Sequence, residues 1–198
     1  MPEALKPQII QLPNAELLYF NDFLEKSVAD FYFKKLLTET PWGQDKIKLF
    51  GKEHLQPRLT ALYASNEKPY SYSGISMNPE GFSEELLTIK KQVEKVCHME
   101  FTTCLMNLYR DGRDSMGWHS DDEKELGKNP VIASVSLGAE RLFKLKHKED
   151  KIQKFDITPA HGSLLVMKGK TQQFWKHQVP KTKKEKGQRI NLTFRRIV

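Results

Sequence analysis

The segment Gly117-Trp118-His119-Ser120-Asp121 sets an imidazole and a carboxylate two residues apart. On an extended chain such residues point to the same side. His119 and Asp121 therefore aim two ligand atoms at one point. Two ligands make a weak site. A second histidine would complete the face of two His and one carboxylate that leaves three octahedral positions open on Fe(II). The plain alternative is a polar turn in which Asp121 caps a short helix over 121–126.

Two downstream histidines compete for the third position. His161 stands in Pro159-Ala160-His161-Gly162, a turn, where hydrogen bonding within the turn is the simpler role. His177 stands in Phe174-Trp175-Lys176-His177-Gln178-Val179, a β-prone run that would hold it rigidly. His147 opens a polar stretch and is expected in solvent; His54 and His98 have no motif around them.

The last β-prone run separates the two candidates. From Gln188 to Arg196 the chain alternates with period two: Arg189, Asn191, Thr193 and Arg195 on one face, Ile190, Leu192 and Phe194 on the other. A polar face ordinarily meets solvent. Two guanidinium forks with two hydrogen-bonding neighbours also form a carboxylate receptor. Arg189 follows His177 by 12 residues, enough for a strand, loop and returning strand. The same step from His161 reaches Thr171-Gln172-Gln173, where no arginine stands. Only His177 comes with the receptor. Asn107 and Tyr109 form a second polar stripe that could reach the same small dicarboxylate.

These residues need elements to hold them. Residues 21–40 read as a helix stopped by Pro41, and 83–100 as an amphipathic helix capped by Ser83. Short strands are predicted at 46–50 and 58–63. After Phe101 seven β-prone runs follow at 103–109, 131–137, 141–147, 154–157, 163–167, 174–179 and 188–197, separated by turn residues. Many short strands without intervening helices predict a sandwich or barrel of the jelly-roll kind. The fold class is mainly β with α, read as one domain over 1–198: an N-terminal layer to residue 100, then a β core over 101–198.

The chain has 198 residues, 38% hydrophobic and 29% charged, which excludes a collagen-like or low-complexity protein. Lys and Arg number 32 against 25 Asp and Glu, a net charge of +7. Residues 1–100 carry 12 basic and 14 acidic side chains, so the excess lies in the second half, with 20 against 11. A polyanionic partner would meet that half. Two cysteines suit a reducing compartment. No run approaches the ~18 apolar residues of a membrane span, and no basic, then apolar leader opens the chain. We expect a monomer in the cytoplasm, or in the nucleus of a eukaryotic cell, without a membrane partner.

Together these segments resemble the AlkB family of Fe(II)- and 2-oxoglutarate-dependent dioxygenases, most nearly its animal nucleic-acid repair members. The likeness lies in Asn107-Leu108-Tyr109-Arg110-Asp111-Gly112, Trp118-His119-Ser120-Asp121-Asp122-Glu123, Ile132-Ala133-Ser134-Val135-Ser136-Leu137-Gly138, His161-Gly162-Ser163-Leu164-Leu165 and Arg189-Ile190-Asn191-Leu192-Thr193-Phe194-Arg195. It runs from about Phe50 to the C-terminus. The resemblance implies a double-stranded β-helix (a jelly roll) with N-terminal helices and a substrate lid. It implies iron held by His119, Asp121 and His177. It implies 2-oxoglutarate clasped by Arg189 and Arg195, assisted by Asn107, Tyr109, Asn191 and Thr193. With O2, such an enzyme oxidises N-methyl groups of nucleobases, releasing succinate and formaldehyde.

The expected substrate is alkylated DNA carrying 1-methyladenine or 3-methylcytosine. RNA or single strands, and protein or small-molecule hydroxylation, are the alternatives. Both bases are cationic near neutral pH, so Asp122 and Glu123 could favour them. Tyr72 and the His119 ring could sandwich an extruded base. Arg58, Tyr70 and Ser71 belong to segments like the family's lid. Phe50-Gly51-Lys52 places an apolar ring between two β-prone runs, a good wedge for an opened base stack; the resemblance gives such a motif that role in a duplex-preferring relative. Lys181, Lys183, Lys184 and Lys186, with Arg110 and Arg113, form the expected phosphate rail.

Overall fold

A computed structural model of the chain describes residues 5–49, 52–65, 70–72 and 75–197, with the backbone alone described at 47–49, 52, 70–72 and 75–77. The first half holds hairpin β1 (Gln8–Leu12) and β2 (Ala15–Phe20), helix α1 (Lys26–Glu39), and hairpin β3 (Lys46–Leu49) and β4 (Lys52–Leu55). Strand β5 (Leu59–Ala64), the pair β6 (Tyr70–Tyr72) and β7 (Ile75–Met77), short β8 (Glu80–Gly81) and helix α2 (Glu84–Cys97) follow. The second half holds β9 (Thr103–Tyr109), β10 (Met116–His119), a 3-10 turn at Lys124–Leu126, β11 (Ile132–Gly138) and β12 (Phe143–His147). It ends with β13 (Lys154–Ile157), β14 (Ser163–Lys168), the one-turn α3 (Thr171–Phe174), β15 (Trp175–Val179) and β16 (Arg189–Arg195).

Eight strands make a major sheet in the order β1-β2-β14-β11-β16-β9-β5-β8, and four make a minor sheet, β10-β15-β12-β13. This is the expected jelly roll. The period-two rule divides each central strand between two cores. In β14, Leu164 and Val166 pack with Ala29 and Leu36 of α1 and Leu86, Ile89 and Val93 of α2, whereas Leu165 and Met167 pack with Leu145 and Trp175 of the minor sheet. In β16, Ile190, Leu192 and Phe194 join the helix-side core. Its alternate face therefore turns toward the minor sheet, and the expected polar stripe is buried between the sheets.

Several elements differ from expectation. Helix α1 starts at Lys26 because Phe23 and Leu24 are buried ahead of it and the Leu24 N–H donates to the Gly162 carbonyl at 2.9 Å. Helix α2 ends at Cys97, where His98 takes a left-handed φ of 51°. Ser83 caps it as expected, its Oγ accepting from the Leu86 N–H at 3.3 Å. Residues 8–20 form a hairpin that extends the major sheet along β14. Phe174 closes α3, so β15 begins one residue later than the run suggested. His147, expected in solvent, is buried. Its Nδ1 accepts the N–H groups of Glu149 and Asp150, and its ring stacks on Phe174. Among the described residues no helix is long and apolar enough to cross a membrane.

Candidate active site

Strands β10 and β15 pair antiparallel, and His119 stands directly opposite His177. The pairing slips between Met116 and His119, an irregularity of the kind that re-aims a side chain. The two imidazole centroids are 4.2 Å apart. Asp121 follows β10, with its backbone N–H held by Gln172 Oε1 at 2.9 Å and the preceding Ser120 hydroxyl donating to the Trp175 carbonyl at 2.9 Å. One ligand atom from each of His119, Asp121 and His177 lies within 4.8 Å of the others.

The electrostatics suit a cation. His119 Nδ1 lies 2.9 Å from the Gly117 carbonyl, so that nitrogen donates and Nε2 is left with its lone pair. Burial pushes the His119 imidazole below its ordinary value. Burial, then the neighbouring His119, pushes His177 down to about 3. Burial alone would raise Asp121, but Arg195, His177 and His119 hold it at about 2. The set is two neutral imidazoles and one carboxylate, the protonation states metal binding requires. His161 is elsewhere: its Nδ1 accepts from the Gly138 N–H at 2.8 Å and its Nε2 faces Asp30 at 3.1 Å, so it braces the end of β11.

The carboxylate receptor lies on the same wall. Across β9 and β16, Tyr109 stands opposite Arg189 and Asn107 opposite Asn191. Arg189, Asn191, Thr193 and Arg195 are all buried. The two arginines are six steps apart along the strand, roughly 20 Å at ~3.4 Å per residue, so they stand at opposite ends of the cleft. Arg195 Nη2 donates to Asp121 Oδ1 at 2.7 Å. At the far end Arg189 Nη2 donates to Ser136 Oγ at 3.0 Å, while its Nε and Nη1 are buried without a hydrogen-bond partner. Burial lowers the Arg189 pKa from its ordinary value. A guanidinium stays charged in proteins, so the physical content is a buried cation with two idle donors. A carboxylate fits that vacancy in charge and geometry. Thr193 donates to Asn191 Oδ1 at 2.9 Å, and Asn191 Nδ2 donates to Ser134 Oγ at 2.7 Å, fixing the middle of the wall. Ser134 and Ser136 were missed, although they alternate on β11 and face Thr193 and Asn191 in register.

The remaining expected residues divide. Arg58 is buried, with Nε donating to Asn107 Oδ1 at 2.7 Å, so it backs Asn107 from β5's approach. Asp122 is exposed and pairs with Lys148 at 3.0 Å. Glu123 turns inward: its Oε2 is buried without a partner, and burial raises its pKa. Arg110 and Arg113 are bound to Asp114 and Asp111 through two side-chain hydrogen bonds each, so their charge is locally offset and they make a poor phosphate rail. Lys52, Tyr70, Ser71 and Tyr72 lie on β4 and β6, with nothing described of their side chains. Phe50 and Gly51 lie outside the described residues.

A basic face appears that the sequence did not reveal. In the minor sheet Lys146 pairs with Lys154 on one side and Lys176 on the other. Lys146 Nζ sits 4.3 Å from the ring centre of Trp118, the neighbour of His119. Among the described residues none of these three lysines has a carboxylate partner.

Two inward-facing histidines, one carboxylate and a buried arginine receptor in a jelly roll define a non-heme iron oxygenase site. The chain belongs to the 2OG-Fe(II) oxygenase superfamily, whose sequence model matches residues 16–195, and within it to the AlkB-type enzymes. It is 42% identical to alpha-ketoglutarate-dependent dioxygenase alkB homolog 3 of Bos taurus over 88% of this chain and 64% of that protein. It is 37% identical to DNA oxidative demethylase ALKBH2 of Homo sapiens over 87% of this chain and 70% of that protein. The chain thus spans just under two thirds of the alkB homolog 3 relatives it matches. The fold also matches the structure of OsALKBH1, with a TM-score of 0.66 at 17% identity over 96% of this chain and 100% of that one. The family implies Fe(II), 2-oxoglutarate and O2. His119, Asp121 and His177 fit the iron, and the idle donors of Arg189 fit the dicarboxylate.

Proposed function

We propose that this protein removes methyl groups oxidatively from 1-methyladenine and 3-methylcytosine in DNA. The observation that carries the reading is the joining of the His119–Asp121–His177 set to a buried arginine receptor through the Arg195–Asp121 bond. Similarity to a relative named as a DNA oxidative demethylase supports the choice of nucleic acid. When bound, Fe(II) and 2-oxoglutarate supply the oxidant: one atom of O2 enters succinate and the other the N-methyl carbon, which leaves as formaldehyde.

The chain's own residues do the rest. Arg189 holds the far carboxylate, with Tyr109 beside it. Arg195 holds Asp121 in register with the histidines. Glu123, half-buried and turned inward near Asp121, favours a base that carries positive charge. Lys146, Lys154 and Lys176, with the lysines between 181 and 186, suit a phosphate backbone outside the cleft. Tyr72 stacks on the extruded base together with His119, Arg58, Tyr70 and Ser71 line its approach, and Phe50-Gly51-Lys52 opens a duplex.

Protein supplied with Fe(II), 2-oxoglutarate and O2 is mixed with oligomers bearing either lesion, as single strand, duplex and RNA. Formaldehyde and succinate should form in equal amounts with DNA, and both should vanish in His177→Ala. Phe50→Ala should lower duplex repair more than single-strand repair. Succinate formed only with peptide substrates would remove the reading.

A further inference from the structure

The far end of the carboxylate receptor is braced by Arg141, a side chain that no motif singled out. It is 1% exposed, among the largest fully buried side chains of the protein. Its Nη1 donates to the Asp111 carbonyl at 2.7 Å, and its Nη2 to the carbonyls of Asp114 and Pro180 at 2.8 Å each. These acceptors belong to two separate connections, β9 to β10 and β15 to β16. The connections also touch directly. The Thr182 N–H donates to the Gly112 carbonyl at 2.8 Å, and a Cβ on Gly112 would stand 2.6 Å from the Thr182 oxygen. One planar fork thus ties together the loop that follows Tyr109 and the loop that precedes Arg189.

All three acceptors are neutral. The nearby carboxylates of Asp111 and Asp114 are occupied by Arg113 and Arg110. The Arg141 guanidinium carbon lies 5.7 Å from the Tyr109 ring centre, and that of Arg189 lies 5.3 Å from the same centre. Two buried cations therefore share one aromatic ring, and only Arg189 offers idle donors to the cleft.

We propose that Arg141 is a positioning residue for the dicarboxylate. It sets Tyr109 and these two loops around Arg189, and its charge strengthens the preference of this end for the second carboxylate of the cosubstrate. The inference rests on Arg189 being the clasp for that carboxylate.

The test is ligand binding to anaerobic Fe(II)-loaded protein by calorimetry, with 2-oxoglutarate and with oxalate, which has chelating oxygens and no far carboxylate arm. Arg141→Met should weaken 2-oxoglutarate at least ten-fold and oxalate less than two-fold. In turnover the KM for 2-oxoglutarate should rise with kcat within two-fold of wild type. Arg141→Lys keeps the charge and loses the fork; it should fall between the two, and it carries the test alone if the Met variant does not fold. Equal losses for both ligands in either variant, or unchanged 2-oxoglutarate affinity, would overturn the proposal. If Arg189→Met also leaves 2-oxoglutarate affinity unchanged, the clasp itself is misassigned. A wild-type protein that binds no 2-oxoglutarate refutes the functional reading instead.

Discussion

One carboxylate serves two neighbours: Asp121 Oδ1 accepts from Arg195 Nη2 at 2.7 Å, and Oδ2 lies 3.7 Å from His177 Nε2. The arginine thereby orients a metal ligand and leaves its other oxygen for the cation. Asp121→Asn keeps the shape, loses the charge and leaves Arg195 facing an amide. Removing one partner of a buried pair typically costs ~3–5 kcal/mol. We expect iron content at background level in Asp121→Asn and His177→Ala, read by metal analysis of purified protein.

The same groups set an acid limit. In the metal-free protein His177 sits near 3 and His119 below its ordinary value, both depressed by burial, against 6.5 for a free imidazole. Between those values the unfolded chain binds more protons than the folded one, so stability rises with pH and is lost as pH falls below about 6.5. Over that window His177 contributes a slope of about 1.4 kcal/mol per pH unit, and His119 adds in the same direction. Asp121, held near 2 by Arg195 and the two histidines, adds its own loss as pH falls below the 3.8 of a free carboxyl. Melting of the apoprotein from pH 7 to 4 should show that slope, and His177→Gln should reduce it by about one proton; an unchanged slope would remove His177 as the cause.

Arg189 makes a separate prediction. Its idle Nε and Nη1 point to a bidentate partner. Arg189→Lys keeps the charge without the fork, and Arg189→Met loses both. Hydrogen bonds to charged groups are worth ~1.5–3 kcal/mol, so the KM for 2-oxoglutarate should rise roughly ten- to hundred-fold in the Met variant and less in the Lys variant.

Glu123 and Asp122 can be told apart. Glu123 turns its Oε2 inward, where that oxygen is buried without a partner, whereas Asp122 is exposed and paired with Lys148. Glu123→Gln should lower repair of cationic 3-methylcytosine about ten-fold relative to neutral 3-methylthymine, on Coulomb grounds. Asp122→Asn should change that ratio less than two-fold. Competition between the two lesions in one tube reads both numbers.

The lysine row should be visible in salt. Replacing Lys146, Lys154 and Lys176 by Gln should weaken oligonucleotide binding. It should flatten the plot of log affinity against log salt by roughly 0.7–0.9 per lysine that meets a phosphate. An unchanged slope would move the phosphate track to the loop between Lys181 and Lys186.

What the sequence made legible follows the period of its strands. The alternation from Arg189 to Arg195 foretold a polar wall, and the spacing to His177 foretold its neighbour. Both are local patterns that a strand converts directly into geometry. The lysine row is a register fact: Lys146, Lys154 and Lys176 lie on three strands and meet only when those strands pair. Arg141 was invisible for the same reason, since its three acceptors come from two distant loops. His147 misled because charged residues follow it, while its ring is buried by Phe174 and Trp175. The hairpin of β1 and β2 was hidden by Pro7 and Pro13 at its boundaries and by a turn at Asn14, whose φ is 57°.

That hairpin covers the side of β14 that would otherwise end the major sheet. An uncovered strand presents a row of free N–H and C=O groups that invites pairing with another chain. Removing the first twenty residues would open such a border beside Leu165 and Met167. The shortened chain should self-associate even with every iron and dicarboxylate ligand in place, which light scattering of the purified protein would read.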